Sequence, residues 1–208
     1  MNIILMGCPG AGKGTQSAKL QVAYPLQHIS TGDLLRAEMA CGSALGKQVA
    51  DTINRGNLVS DELMISLLAS RVQATDKGII FDGFPRTVAQ AQALEKMLQQ
   101  YNRSITQVIM IDLPEEEVVK RLSSRRLCKQ CGKPAATATQ PTCECGGELY
   151  VRADDTAQSV KHRLEVYRQQ TLPVKTYYQN SGKYVEINGN QTPQQVFEDI
   201  KKVLEKVK

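Results

Sequence analysis

Nine consecutive residues, Gly7-Cys8-Pro9-Gly10-Ala11-Gly12-Lys13-Gly14-Thr15, carry the strongest chemical signal in this chain. Glycine at this density lets the backbone curl so that successive N–H groups point inward at one anion. A helix starting from Gln16 onward would add the partial positive charge of its N-terminus. The spacing is that of a P-loop, in which Lys13 reaches the outer phosphates and the Thr15 hydroxyl lies near the metal or phosphate. A glycine-rich turn without a ligand is the plain alternative. The apolar strand before the loop, the helix after it and the added Pro9, Gly10 and Thr15 weigh against it. Gly14 stands where Ser or Thr usually follows the lysine, with Thr15 one place later.

A second group is Asp82-Gly83-Phe84-Pro85-Arg86-Thr87, with Gln90 four residues past Arg86. An acid at the end of a strand in a P-loop fold is where a carboxylate organising Mg²⁺ belongs, although Asp82 alone would also suit a strand-end cap. Gly83 permits close approach of a ligand to the backbone, and Arg86 offers a planar fork to a phosphate. Ser30-Thr31-Gly32-Asp33-Leu34-Leu35-Arg36 reads as a strand end and a capped helix start. Further arginines follow. Arg121 and Arg125 are four apart on a helix beginning near Glu115, so they share a face, while Arg126 points elsewhere. Arg152 precedes Asp154-Asp155, and Arg163 lies on the next helical stretch.

Only His28 and His162 are present, and neither has a recognisable catalytic spacing. That absence points to an acceptor that needs no general base. A phosphate monoester, with a second pKa near ~6, is largely dianionic at neutral pH. The task is then to align two anions and neutralise their shared charge.

The third group is Cys128-Lys129-Gln130-Cys131 and Cys143-Glu144-Cys145. Four thiolates so spaced suit tetrahedral Zn²⁺, and four ligands make a closed, structural site. In an extended stretch Cys143 and Cys145 face the same way and can chelate together. Disulfides or free thiols are the alternatives. Cys8 and Cys41 lack a partner spacing and are expected to be structural.

These groups need a scaffold. Ile3–Met6, Ile79–Asp82, Val108–Asp112 and Tyr184–Ile187 read as strands, with Leu26–Ile29 a weaker one. Near-continuous apolar character in three of them fits parallel strands covered on both faces. Alternation with helices gives an α/β, doubly wound fold whose ligands bind beyond the strand ends. Pro114 is expected at the first helical position before Glu115-Glu116-Glu117, and Thr192-Pro193-Gln194-Gln195 has a capping-box pattern. The polar stretches 30–59 and 126–155 fit insertions able to move against a rigid core. The 208 residues suffice for one such core with insertions. A net charge of +5 suits nucleic acid or small polyanions equally, but 5% aromatic content without Trp argues against stacking platforms for single strands. The N-terminal apolar run is too short for a signal peptide, and no stretch approaches a transmembrane length. The expectation is a cytoplasmic protein with reduced thiols and no membrane partner.

The string Gly-x-Pro-Gly-Ala-Gly-Lys-Gly-Thr resembles nucleoside monophosphate kinases, adenylate kinases above all, and the likeness runs from Met1 to about Val196. It includes the signature at Asp82–Gln90 and Gly146-Gly147-Glu148-Leu149-Tyr150-Val151-Arg152-Ala153-Asp154-Asp155, the end of a zinc-ribbon lid found in many bacterial members. The resemblance implies a five-stranded parallel core (1–29, 60–120 and 156–208), an AMP-binding insertion (30–59) and a lid (121–155). It implies Mg²⁺-dependent transfer from ATP to AMP giving two ADP, by a monomer with a structural Zn²⁺. ATP would be held by Gly10, Ala11, Gly12, Lys13, Gly14, Thr15, Arg121, Arg125 and Gln191. AMP would be held by Thr31, Arg36, Asn57, Leu58, Val59, Gly83, Phe84, Pro85, Arg86, Gln90, Arg152 and Arg163. Lys13, Arg86, Arg121, Arg152 and Arg163 would carry catalysis, Asp82 and Thr15 would lie near Mg²⁺, and Cys128, Cys131, Cys143 and Cys145 would bind zinc. Two features depart from the family pattern. The second cysteine pair is C-x-C where C-x-x-C or C-x-x-D is usual, and Pro134-Ala135 stands where an aromatic often lies near ATP. Thr31 with Gln90 favours AMP over UMP, CMP or GMP. A zinc-ribbon nucleic-acid-binding ATPase would need a basic or aromatic ribbon surface, which the segment lacks.

Overall fold

The computed structural model describes residues 1–42, 46, 50, 59–135, 137 and 139–207. Its centre is a five-stranded parallel sheet of β1 (Asn2–Met6), β2 (Leu26–Ser30), β3 (Gly78–Asp82), β4 (Gln107–Asp112) and β7 (Tyr184–Asn188), in the order β2-β3-β1-β4-β7. The middle strands are buried on both faces, whereas the edge strands are covered only in part: Leu26 and Ile29 are the buried residues of β2, and Ile187 that of β7. This explains why Leu26–Ile29 gives the weaker strand signal: Gln27 and His28 are exposed or half-buried, so the strand lacks the continuous apolar run of its covered neighbours.

Alternation along β1 divides the core in two. Ile4 and Met6 pack with Leu68, Leu94, Leu98, Val174 and Tyr178, on one face. These come from α3 (Asp61–Gln73), α4 (Val88–Gln100) and α7 (Leu172–Gln179). Ile3 and Leu5 pack with Leu20, Val118, Leu122, Leu164, Ile200 and Leu204. Those side chains belong to α1 (Lys13–Ala23), α5 (Glu115–Ser123), α6 (Ala157–Val166) and α8 (Pro193–Glu205). The chain leaves β1 toward β2 on one side and later crosses to β4 on the other. The carboxyl end of β1 therefore lies at the switch point, where open α/β sheets bind ligands.

Caps set the helix starts. Ser30 accepts from the Asp33 N–H to open α2 (Thr31–Ala40), and Thr87 accepts from the Gln90 N–H to open α4. The capping box at Thr192 and Gln195 is formed. Helix α1 starts at Lys13, three residues earlier than its sequence pattern suggests, with no side-chain cap. Pro114 is the N-cap of α5 rather than its first helical residue. Its extended ψ of 141° places it just outside the helix. Cys41 caps the end of α2 and is exposed, so it is no core residue, whereas Cys8 is buried.

A separate antiparallel pair, β5 (Leu127–Cys128) and β6 (Leu149–Tyr150), forms the base of the cysteine segment. No helix among the described residues is long and apolar enough to cross a membrane.

Candidate active site

The loop after β1 is shaped by three glycines with positive φ: Gly7 at 149°, Gly10 at 82° and Gly12 at 96°. Gly7 also has no room for a side chain, since a Cβ there would lie 2.6 Å from the Ile111 carbonyl oxygen. Lys13 Nζ donates to the carbonyls of Gly7 (2.9 Å) and Cys8 (3.0 Å), which closes it across the loop. Burial lowers the Lys13 pKa below its ordinary 10.5, and the nearby Asp82 charge works the other way. The first N–H groups of α1 carry no side-chain cap, which leaves them open toward the loop in the manner of a helix-end anion site.

Asp82 ends β3 beside this loop. A Cβ on Gly14 would stand 3.9 Å from Asp82 Oδ2. The same oxygen pairs with His28 Nε2 at 3.1 Å. A carboxylate oxygen next to a phosphate loop fits Mg²⁺, a hard cation that takes oxygen ligands. Thr31 Oγ1 donates to the Gly83 carbonyl at 3.1 Å and so fastens the start of α2 to the end of β3. Arg86 Nε donates to the same carbonyl at 2.8 Å. Burial, and then the neighbouring Arg163 charge, lower the Arg86 pKa to about 10, so the guanidinium stays charged at neutral pH.

The arginines converge from separate elements. Arg121 Nη2 donates to the Gly189 carbonyl at 3.0 Å, just past β7. Arg125 lies beyond the end of α5, so it does not share a helical face with Arg121 as its spacing suggests. It is held instead by Asp155, bidentately, at 2.8 and 2.6 Å. Arg163 Nη1 donates to Asp154 Oδ2 (2.9 Å) and Asp155 Oδ1 (3.2 Å). Arg36 and Arg152 share Asp33, at 2.5 and 3.7 Å. Arg152 Nε is buried with no hydrogen-bond partner among the described residues. Burial, and then the Arg36 charge, lower the Arg152 pKa. Arg126 donates to the carbonyls of Thr137 and Gln140 within the cysteine segment.

These groups border one cleft of about 1660 Å³, which reaches residues Gly10 to Thr15, Thr31, Arg36, Val59, Asp82, Gly83, Phe84, Arg86, Gln90, Arg121, Arg125, Arg152, Arg163 and Gln191. A site for one drug-sized ligand runs to roughly 1,000 Å³, so this cleft has room for two nucleotides. Pro85 faces a smaller cavity of about 70 Å³ behind the loop, joined to Phe84 by a cis peptide. Gln191 uses its side chain internally, donating to the Asn188 carbonyl and Asp199. Asn57 and Leu58 lie outside the described residues.

The four cysteines of the lid segment meet, with all four sulfurs within 4.8 Å of one another. The Cys128–Cys145 and Cys131–Cys143 sulfurs are each 3.5 Å apart. A tetrahedral ion with Zn–S bonds of about 2.3 Å has sulfur–sulfur edges of roughly 3.8 Å, so the donor set fits zinc. The C-x-C pair is not extended. Gly146 N donates to Cys143 O (2.8 Å) and Cys143 N to Gly147 O (2.9 Å), making a turn that closes the knuckle without the usual extra residue. Gly147 is needed there, because a Cβ would come within 2.5 Å of Cys128 Sγ. The N–H groups of Cys131 and Gln130 donate to that sulfur and lower its pKa, the direction that favours a metal-binding thiolate.

Several site residues escape sequence reasoning. Asp33, Asp61 and Asp155 act as anchors for Arg36, Gln90 and Arg125. His28 meets Asp82 from the neighbouring strand, across a register that pairs His28 with Ile80. Asp33 lies only three residues from Arg36, and Asp154-Asp155 adjoins Arg152; Asp61 and His28 are far along the chain from the partners they meet.

Comparison with known proteins agrees with this geometry. The family model described as adenylate kinase matches residues 5–183. An adenylate kinase of Desulfitobacterium hafniense is 48% identical, covering 99% of this chain and 98% of its own length. One from Geobacillus sp. is 46% identical, covering 98% of each. One from Archaeoglobus fulgidus is 44% identical over the full length of both. A match of that extent, on a cleft with the phosphate loop and arginines already described, means that the chain belongs to the adenylate kinase family.

Proposed function

We propose that this chain catalyses reversible transfer of the terminal phosphoryl group of Mg-ATP to AMP, giving two ADP. The observation that carries the reading is one cleft of about 1660 Å³ lined both by the glycine-rich loop with Lys13 and by arginines from several elements, so that two phosphate groups could meet in a common space. ATP occupies the loop side. Its phosphates take the N–H groups of Gly10–Thr15 and the Lys13 ammonium, which exchanges its two carbonyl partners for phosphate oxygens. Arg121 and Arg125 add charge from the lid side, and the backbone at Gln191 meets the adenine. AMP lies against Thr31, Arg36, Val59, Gly83, Phe84, Pro85 and Gln90, together with Asn57 and Leu58. Arg86, Arg152 and Arg163 face its phosphate.

An AMP phosphate oxygen attacks the terminal phosphorus of ATP in line with the departing ADP oxygen. No base is required, since the attacking oxygen is already ionised. Lys13, Arg86, Arg121, Arg152 and Arg163 neutralise the charge spread over the transferring group. The Nε of Arg152, which has no hydrogen-bond partner among the described residues, is one donor that a phosphate would satisfy. Asp82 and Thr15 would hold Mg²⁺, which would supply charge neutralisation between the outer phosphates.

The lid (121–155) and the AMP insertion (30–59) close over the core (1–29, 60–120 and 156–208) and exclude water, so that ATP is not simply hydrolysed. Structural Zn²⁺ on the four cysteines holds the lid, which has almost no apolar core of its own. The protein works as a cytoplasmic monomer on free nucleotides rather than on nucleic acid. The relatives named above give no support to a UMP, CMP or GMP acceptor, or to a nucleic-acid-binding ATPase. The test is transfer of label from terminally labelled ATP. Label in ADP, dependent on added AMP, supports the reading; label released only as inorganic phosphate contradicts it.

A further inference from the structure

Gln90 is 2% exposed, and both ends of its amide are held. Its Oε1 accepts from the Arg86 backbone N–H at 2.7 Å. Its Nε2 donates to Asp61 Oδ1 at 2.7 Å. The chemistry of the two partners fixes which end is which: a backbone N–H only donates and a carboxylate only accepts. A rotated amide would set oxygen against carboxylate and NH₂ against N–H. Each end of the amide still has spare capacity, one hydrogen on Nε2 and one lone pair on Oε1. Gln90 borders the main cleft together with Leu35, Val59, Met64 and Phe84, apolar groups suited to the faces of a base.

We infer that Asp61 is a positioning residue that sets acceptor specificity, by locking the Gln90 amide in the one orientation that reads a 6-aminopurine and rejects a 6-oxopurine. This rests on the proposed AMP site. Adenine offers a 6-amino donor beside the N1 acceptor, which matches the spare lone pair and spare hydrogen of the locked amide. Hypoxanthine reverses both, with a 6-oxo acceptor beside an N1–H donor. A free glutamine would meet either base by rotating its amide at little cost. A locked one leaves buried polar groups mismatched, the condition under which sites discriminate strongly. Asp61 lies at the start of α3, behind Ser60, and its side chain reaches Gln90 in the first turn of α4. It therefore acts through Gln90, without touching the substrate.

The experiment compares AMP with IMP, which differ only in this edge, as acceptors (kcat/KM with Mg-ATP) and as ligands (Kd without ATP). In Asp61→Asn, whose amide can offer either a donor or an acceptor, the carboxylate half of the lock is lost while the Arg86 N–H still opposes rotation, so the AMP-to-IMP ratio should fall about tenfold in both measurements without reaching unity. The KM for ATP should not change. In a Gln90→Ala background, Asp61→Asn should no longer alter the ratio. Parallel losses for AMP and IMP in Asp61→Asn, with the ratio kept, would overturn the inference and leave Asp61 a merely structural role. Should Asp61→Asn fold poorly in a thermal melt, Asp61→Ser carries the same comparison. A Gln90→Ala chain that still separates AMP from IMP as the natural chain does would instead sink the placement of the base at Gln90, a distinct failure.

Discussion

Replacing Asp155 by Ala should be costly out of proportion to its size. The Asp155 side chain is fully buried and takes two short bonds from Arg125 and one from Arg163. Removing one member of a buried ion pair typically costs about 3–5 kcal/mol, because the remaining charge keeps its desolvation penalty. Two facts pull the estimate to the lower end. Arg125 and Arg163 are 19% and 16% exposed, and Arg163 keeps Asp154. The expected loss is therefore about 3 kcal/mol. With an unfolding entropy of roughly 2.1 cal/mol/K per residue over 208 residues, that lowers Tm by about 7 °C. Asp155→Asn keeps the shape and one acceptor, so it should lose about half as much. Calorimetry reads the melting points, and steady-state kinetics should show a fall in kcat as Arg125 and Arg163 lose their orientation. A melting point for Asp155→Ala within 1 °C of the natural chain would refute the claim that this carboxylate holds the two arginines in place.

Other expectations follow from the same geometry. Lys13→Ala should keep the melting temperature within a few degrees and reduce kcat/KM on the order of 10³-fold, since on the proposed reading it removes a cation that meets the transferring group; wild-type turnover would sink the phosphate-loop assignment. Freshly purified reduced protein should contain about one zinc per chain, and chelation should increase protease cleavage between Leu127 and Tyr150 while leaving far-UV dichroism of the core largely unchanged. Metal analysis finding no zinc in protein with an intact lid would remove the staple. Stability should be flat through neutral pH and fall in the acid range. Burial opposes ionisation of Asp33, but the Arg36 and Ser30 hydrogen bonds and the Arg36 and Arg152 charges outweigh it, so its pKa lies below the ordinary 3.8. The Lys175 hydrogen bond likewise holds Glu186 below 4.5. A depressed carboxylate pKa stabilises the fold above the unfolded value, and the contribution is lost as pH falls through the folded one. Urea melts at pH 7, 5 and 3 should show the loss only at the last; equal stability at pH 7 and pH 3 would contradict it.

How much was legible in the sequence depended on whether a signal was local. The P-loop is one contiguous string, and its glycines, lysine and flanking strand are constrained by short-range backbone geometry. The doubly wound sheet was legible because its middle strands are buried on both faces and spell continuous apolar runs. Arg125 was misread because helical spacing was extended beyond Ser123, where α5 stops and an ion pair with Asp155 takes over. The C-x-C pair was misread for a related reason: extended geometry would suffice for chelation, but the glycines at 146 and 147 make a turn instead. His28 and Asp61 carried no signal at all. Each acquires its role from a partner on another element, 54 residues away for His28 and 29 for Asp61, and one sequence read along its length does not encode those contacts visibly.

The most direct test supplies the protein with Mg²⁺ and ADP alone and follows nucleotides by chromatography. ATP and AMP should appear in equal amounts and approach equilibrium, because that reaction requires both nucleotides to sit in the cleft at once. Well-folded, zinc-loaded protein that leaves ADP unchanged would contradict the assignment of the cleft to ATP and AMP.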